Sequence, residues 1–410
     1  MTCHEAPRLW RGLRVFVDMF QLRKPLVFAF FLAMLCGMAE AQRMRHPSDP
    51  WPEKSFHTTT QWVVSPSLKY DALCALDMLS GDPFYLKFYR DDYNRLAPRL
   101  TPQEKNDFVA IKRIIKDKNK GIVSADLALI LSVEAGDMLD DILIALDKPN
   151  EIRERLQATP YYSEPNFSEF MQVRPHLIAA IRALKRIGFD DDWNQHVRSQ
   201  ILARMSHLQP ELARYNIVPI QEQVLGHRLP DNRIQVYLLY YSEPHGIKIT
   251  GTRFLTHVSY PFDIVLHNAV HEMMHPPYSL DDPKTREAVE ALRHEPFLMD
   301  KVLRHNPSFG YNEFEGFVEE DCVQALEQTL TQSMGLEDDE QEYWRIQDAG
   351  MHVLAIALYE LMEHGKFLQR ERFSTFFQRM VFTGELSNAR LIELNRKFWS
   401  EPNGARLPRQ

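Results

Sequence analysis

The sequence predicts an α+β protein, mainly α-helical, with a small mixed β-sheet leading into one chemically distinctive helix. Three observations carry that expectation. Apolar residues recur at helical spacing through most of residues 67–210. Residues 233–241, Arg-Ile-Gln-Val-Tyr-Leu-Leu-Tyr-Tyr, are instead rich in the aromatic and β-branched types that favour strands. Shortly afterwards comes Val-Leu-His-Asn-Ala-Val-His-Glu-Met-Met-His-Pro-Pro-Tyr, residues 265–278, in which two histidines stand four positions apart with a glutamate directly after the first.

The chain has 410 residues, 44% of them hydrophobic and 25% charged, which is ordinary for a globular protein large enough for two lobes. A net charge of −8 and the lack of a basic tract give no electrostatic reason to expect a nucleic-acid partner. Arg23-Lys24, the apolar run 26–38 and Ala39-Glu40-Ala41 follow the design of a secretory signal peptide, residues 1–41, cut after Ala41. About a dozen apolar residues are too few to span a bilayer, so the mature chain is expected to be secreted or periplasmic, without a stable membrane span. Only Cys74 and Cys322 then remain, expected as two buried thiols, although an oxidising compartment would permit them to pair.

Residues 42–66 carry four prolines and are expected to be extended. A helical domain should follow over residues 67–210. Thr101-Pro102-Gln103-Glu104 is a capping box with proline at the first helical position, and Ser124 is expected to cap a run through Val133. Helices are expected over 137–146 and 150–157, and over 167–187 with a kink or an interruption near Pro175. Another should open at 190–192 and carry Trp193, Val197, Ile201, Leu202 and Met205 toward the core. A second domain, residues 211–400, should hold strands at 233–241, 247–249 and 254–260 and then the histidine helix. An exposed edge strand there could hold an extended peptide. A helix at 282–293, an irregular stretch around Pro296 and Pro307, an acidic helix at 312–328 and a helix at about 342–363 follow.

On an α-helix advancing about 100° per residue, His271 and His275 fall about 40° apart, so both imidazoles can reach one metal ion. Glu272 is then beside the metal rather than on it, where a carboxylate can move protons. Val265, Leu266, Ala269, Val270, Met273 and Met274 gather on the opposite side as a core-facing stripe. A catalytic zinc ion takes three protein ligands and keeps one position open, so a third ligand is required. The acidic helix carries Glu313, Glu315, Glu319 and Glu320. Its apolar stripe of Phe314, Phe317, Val318, Cys322, Ala325, Leu326 and Thr329 leaves Glu320 about 160° from the stripe's centre. Glu320 is therefore the first choice as ligand, Glu319 the next and Glu315 the third; a carboxylate at the stripe's border could support a ligand histidine instead.

This combination, His271-Glu272-Met273-Met274-His275 with Glu319-Glu320-Asp321-Cys322-Val323-Gln324-Ala325-Leu326 downstream, resembles the gluzincin class of zinc metallopeptidases. It is also similar to secreted bacterial domains with the same pair of motifs. The resemblance covers about residues 233–330. It implies a zincin-like fold, Zn2+ bound by His271, His275 and Glu320, Glu272 as general base, and hydrolysis of a peptide or protein substrate by a zinc-activated water. A catalytically inactive zincin-fold binding or scaffold protein is the alternative, which would have no need of Glu272. Two features depart from the class: Pro276-Pro277 directly after the second histidine, which should make His275 the last residue of its helix, and a long interval from His275 to Glu320. Tyr278, Tyr311, Tyr343 and His352 are eligible by type to stabilise an oxyanion, and His267 and Asn268 share the ligand side of the helix.

Overall fold

Four short strands form one sheet, and the first of them comes from the segment expected only to be extended. The computed structural model describes residues 56–306, 313–336, 340–365 and 371–400; the expected signal segment, residues 1–41, lies outside the described residues. Strand β1 is Gln61–Pro66, β2 is Arg233–Leu239, β3 is Ile247–Ile249 and β4 is Arg253–His257, in the order β1-β2-β4-β3. β1 lies parallel to β2, with Val64 opposite Val236, and β2 lies parallel to β4. β3 returns antiparallel to β4 and closes one edge. Trp62 and Val64 turn inward from β1, but their partner strand is about 170 residues away, so no local pattern announced the pairing.

The remaining architecture is helical and shares one continuous apolar core with the sheet. Thr101 forms the expected capping box with Glu104 at the start of Pro102–Lys112. The helix Glu164–Arg186 runs unbroken through Pro175, contrary to expectation. That proline lies on the exposed side, so the carbonyl it leaves unpaired can meet water, while Val173 and Leu177 bury the other side. Ser124 is not a cap: the helix Val123–Leu131 starts behind Ile122, and the Ser124 N–H goes to Asp77. The helix expected from residue 190 is two, Phe189–His196 and Arg198–Leu212, broken at buried Val197, with Leu202 exposed. Pro296 starts a helix, Pro296–Arg304, where an irregular stretch was expected, because proline suits the first helical position. The helix expected at 342–363 is broken into Glu340–Ile346 and Val353–Gly365 by a left-handed turn. Cys74 and Cys322 are both free and buried. Among the described residues no helix is long and apolar enough to cross a membrane.

Two connections position the later elements. β4 leads through Pro261 into the helix Phe262–Met273 that carries the histidine motif. The first helix, Leu68–Leu79, is buried along its whole length and contributes Asp71 to the end of β2. Asp71 accepts the backbone N–H groups of Tyr240 and Tyr241 at 2.8 Å each and the Trp193 indole N–H at 2.7 Å. Burial pushes this carboxyl up to about 7 against those donors. Asp71→Ala strands three buried donors and should cost on the order of 3 kcal/mol. The urea midpoint should fall accordingly, and an unchanged midpoint would show that Asp71 does not tie the two halves together.

Candidate metal centre

The helix Phe262–Met273 ends two residues earlier than the sequence suggested, with Met274 as its cap, so His275 lies just beyond the helix rather than on its last turn. The two rings nevertheless meet: His271 Nε2 and His275 Nε2 are 3.2 Å apart. Glu320 comes from the helix Phe314–Ser333, with Oε1 3.6 Å from His271 Nε2 and Oε2 3.7 Å from His275 Nε2. Bonds of 2.0–2.2 Å to a tetrahedral ion place neighbouring donors roughly 3.3–3.5 Å apart. Each imidazole thus has one oxygen of the Glu320 carboxylate a few tenths of an ångström beyond that spacing, and His271, His275 and Glu320 could together hold a metal ion.

The outer edges of the rings explain why the inner edges face each other. His271 Nδ1 is 2.9 Å from Glu327 Oε2, and His275 Nδ1 is 3.0 Å from Glu319 Oε1. Each carboxylate takes an Nδ1–H, which leaves the Nε2 lone pairs pointing into the same space. Two lone pairs at 3.2 Å require a cation or a proton between them. Glu320 Oε2, also buried, has no hydrogen-bond partner among the described residues. Glu327 is shared, since its Oε1 lies 2.9 Å from His267 Nδ1. The pairs 271 with 327 and 275 with 319 show that the two helices run antiparallel.

Burial and charge decide the protonation of this cluster. Burial alone would lower His271, but Glu320 and Glu327 outweigh it and push the imidazole up to about 9. Burial lowers His275, and the charges of His271 and Lys248 act in the same direction. Burial also pushes Glu319 up to about 8, with Glu320 adding to it. Glu327 is held down at about 2, because its hydrogen bonds to His267 and His271 overcome burial. A bound cation would take the place of the His271 proton.

Glu272 is 4% exposed, and its Oε2 has no hydrogen-bond partner among the described residues. Burial pushes it up to about 7, opposed by the charges of His271 and Lys248. Lys248 on β3 is 2% exposed, and its Nζ lies 3.6 Å from the Met273 thioether. Burial lowers this amine to about 7, opposed by the charge of Glu272, so β3 supplies a buried titratable amine beside the motif. β3 is an edge strand of the sheet, and Ile247, Lys248 and Ile249 are all buried there.

The acidic helix is covered well beyond its apolar stripe. Every residue from Gly316 to Thr331 is buried, Glu319 and Glu320 included. Glu315 points away to Arg293 and takes no part in the site. Tyr278 stacks on Phe377, Tyr343 reaches Glu327 at 3.4 Å, and Tyr311 lies outside the described residues. His352 is bound between Asp321 (2.6 Å) and Asp348 (3.0 Å), which push it up to about 10 although burial opposes them.

Sequence reasoning missed Glu327, Gln324, Lys248 and Tyr161. Glu327 could have been found, because positions 320, 324 and 327 follow i, i+4, i+7 and share one helical face. Tyr161 could not, since it lies in the loop between Pro149–Gln157 and Glu164–Arg186. Burial raises its phenol, and the carboxylates of Glu272 and Glu319 act on it from across the site. No protein-family model, curated protein or solved structure matches this chain. The reading of the site rests on its geometry.

Bound metal measured by atomic absorption should collapse in His271→Ala, His275→Ala and Glu320→Ala and survive in Glu315→Ala. Glu319→Ala, which removes only a supporting carboxylate, should weaken affinity by about 10–100-fold. Loss of metal in Glu319→Ala with retention in Glu320→Ala would exchange their roles. A pH dependence follows from His352. Its folded value lies above the ordinary 6.5, so its contribution to stability is complete below 6.5 and is lost as pH rises through about 10. The difference in unfolding midpoint between metal-free wild type and His352→Gln should shrink over that range; a constant difference would contradict the imidazolium.

Proposed function

We propose that this chain is an exported zinc metallopeptidase that hydrolyses peptide bonds, with Glu272 as general base. One observation carries the reading: the buried group His271, His275 and Glu320, which could hold a metal ion, adjoins a buried carboxylate, Glu272, whose Oε2 has no hydrogen-bond partner among the described residues. A protein that only bound a metal, or only kept the fold, would leave that carboxylate desolvated with no return. This favours an enzyme over the inactive scaffold.

Zinc held by His271, His275 and Glu320 would supply a Lewis acid for the substrate carbonyl and lower the pKa of a water molecule entering its open position. Glu272 takes the proton of the attacking water as the oxygen adds to the carbonyl carbon. It then hands that proton to the leaving nitrogen, giving a carboxylate and an amine. A carboxyl near 7 suits both transfers. Lys248, when protonated, favours the ionised form of Glu272, and Glu272 in turn favours the ammonium against burial. Glu319 and Glu327 fix the ring orientations so that neither imidazole must turn during the reaction. Tyr161, a residue of the N-terminal half on whose phenol the charges of Glu272 and Glu319 act, would supply the donor for the oxyanion that develops on the carbonyl oxygen.

Zinc-loaded protein incubated with a mixture of unfolded proteins should release new N-termini detectable by mass spectrometry. Glu272→Gln should retain one zinc per chain and lose about 10²–10⁴-fold in kcat. Tyr161→Phe should retain zinc and lose about 10²–10³-fold, mostly in kcat. Wild-type protein that carries stoichiometric zinc yet cleaves no member of a broad peptide library would remove the peptidase reading and leave the metal site standing.

A further inference from the structure

Two buried donors near Glu272 meet no oxygen acceptor among the described residues. A protonated Lys248 offers three N–H groups, and the acceptor its Nζ meets there is the Met273 thioether at 3.6 Å, a weak one. Asn268 is 7% exposed, and its Nδ2 has no hydrogen-bond partner among the described residues. Buried polar groups in folded proteins are nearly all paired, so two such donors in one place call for an acceptor that arrives from outside.

The two donors are brought together by one close approach of chain to helix. A Cβ on Gly246 would stand 2.9 Å from Asn268 Nδ2 and 3.3 Å from its Cγ, so the segment entering β3 can lie against the helix Phe262–Met273 because residue 246 is glycine. Two residues later Lys248 reaches the same helix at Met273. Two strand residues advance about 6.6 Å and four helical residues about 6 Å, so the step from Gly246 to Lys248 keeps pace with the turn from Asn268 to Glu272. The charge of Lys248 acts on both Glu272 and His275, so the amine lies close to the metal centre.

We propose that Lys248 and Asn268 form a carboxylate-binding subsite, and that the carboxylate is the free C-terminus of a peptide from which one or two residues are removed. A carboxylate brings two acceptor oxygens for the two donors and the countercharge for the ammonium. Consecutive Cα atoms are about 3.8 Å apart, so one or two residues beyond the scissile bond cover the turn of about 6 Å between Glu272 and Asn268. His271, Glu272, His275 and Glu320 are all buried, and a chain end needs one way into such a site where the middle of a chain needs two. The bond broken is the last or next-to-last peptide bond: water adds its oxygen to the carbonyl carbon, and its proton passes through Glu272 to the leaving nitrogen, which releases an amino acid or a dipeptide. The inference rests on the metallopeptidase reading and adds a substrate class to it.

Calorimetry on the zinc-loaded full chain carrying Glu272→Gln tests binding apart from turnover. N-acetylated tripeptides ending in a free acid should bind about 10–100-fold more tightly than the same peptides ending in an amide. Lys248→Met in that chain should bring the two affinities together, and Asn268→Leu, which keeps the lysine, should remove part of the difference. In the active protein the ratio of kcat/KM for acid over amide should fall in the same order; any effect of Lys248 on Glu272 acts on both peptides and cancels from the ratio. Equal affinities for acid and amide, or a preference for the acid that survives Lys248→Met, would overturn the inference. An amidated peptide ending in aspartate that binds as tightly as the free acid would move the subsite to a side-chain carboxylate and overturn the assignment to the C-terminus. Cleavage of acid and amide at equal rates would leave a peptidase without this subsite, whereas preferential binding of the acid with no cleavage by wild type would remove the peptidase and keep the subsite.

Discussion

Two imidazoles whose Nδ1 atoms are already committed to carboxylates can interact further only through Nε2, and here those two atoms lie 3.2 Å apart. The rest of the site follows from this constraint. Two lone pairs cannot face each other at that distance in a buried place without a positive charge between them. The fold supplies a proton-accepting arrangement with Glu320 as its third corner. The carboxylates that fix the rings are buried too, so the acidic helix must be covered on every side. Helices Phe262–Met273 and Val353–Gly365 cover it, and the left-handed turn before the second of them places Asp348.

The sheet has a limited role in this arrangement. It sets the direction in which the chain leaves β4 and enters the histidine helix, and through β3 it delivers Lys248. The N-terminal helices do more than form a separate layer. Leu68–Leu79 is tied to the end of β2 through Asp71, and the loop at 161 brings a phenol within the field of Glu272 and Glu319. The catalytic reading therefore depends on residues more than 100 positions apart in sequence.

Much of the centre was legible before any coordinates. His271, Glu272 and His275 are a local pattern, and local patterns survive folding because a helix fixes their mutual angles. Glu320 was separable from Glu319 and Glu315 because the apolar stripe of its own helix orients the wheel. The rest failed for identifiable reasons. The wheel assumes one buried side and one wet side, and a helix buried from Gly316 to Thr331 violates that assumption, so Glu327 and Gln324 passed unnoticed. The turn at 347–350 was invisible because its left-handed residues are Asp348 and Ala349 as well as Gly350, and only glycine signals such a turn. β1 was missed because a six-residue strand is recognised by its partner, which here lies far along the chain. Pro276 suggested that His275 would end its helix; the helix ends two residues sooner, and Glu319 rather than helical geometry aims the ring.

The central claim is that the Nε2 atoms of His271 and His275 and a carboxylate oxygen of Glu320 converge on one divalent ion. Anomalous diffraction at the zinc edge, on crystals grown with zinc, tests it without reference to activity. A single strong peak within about 2.0–2.2 Å of those three atoms is the expected result. A peak coordinated by Glu319 in place of Glu320, or no peak between the two imidazoles, would contradict the account.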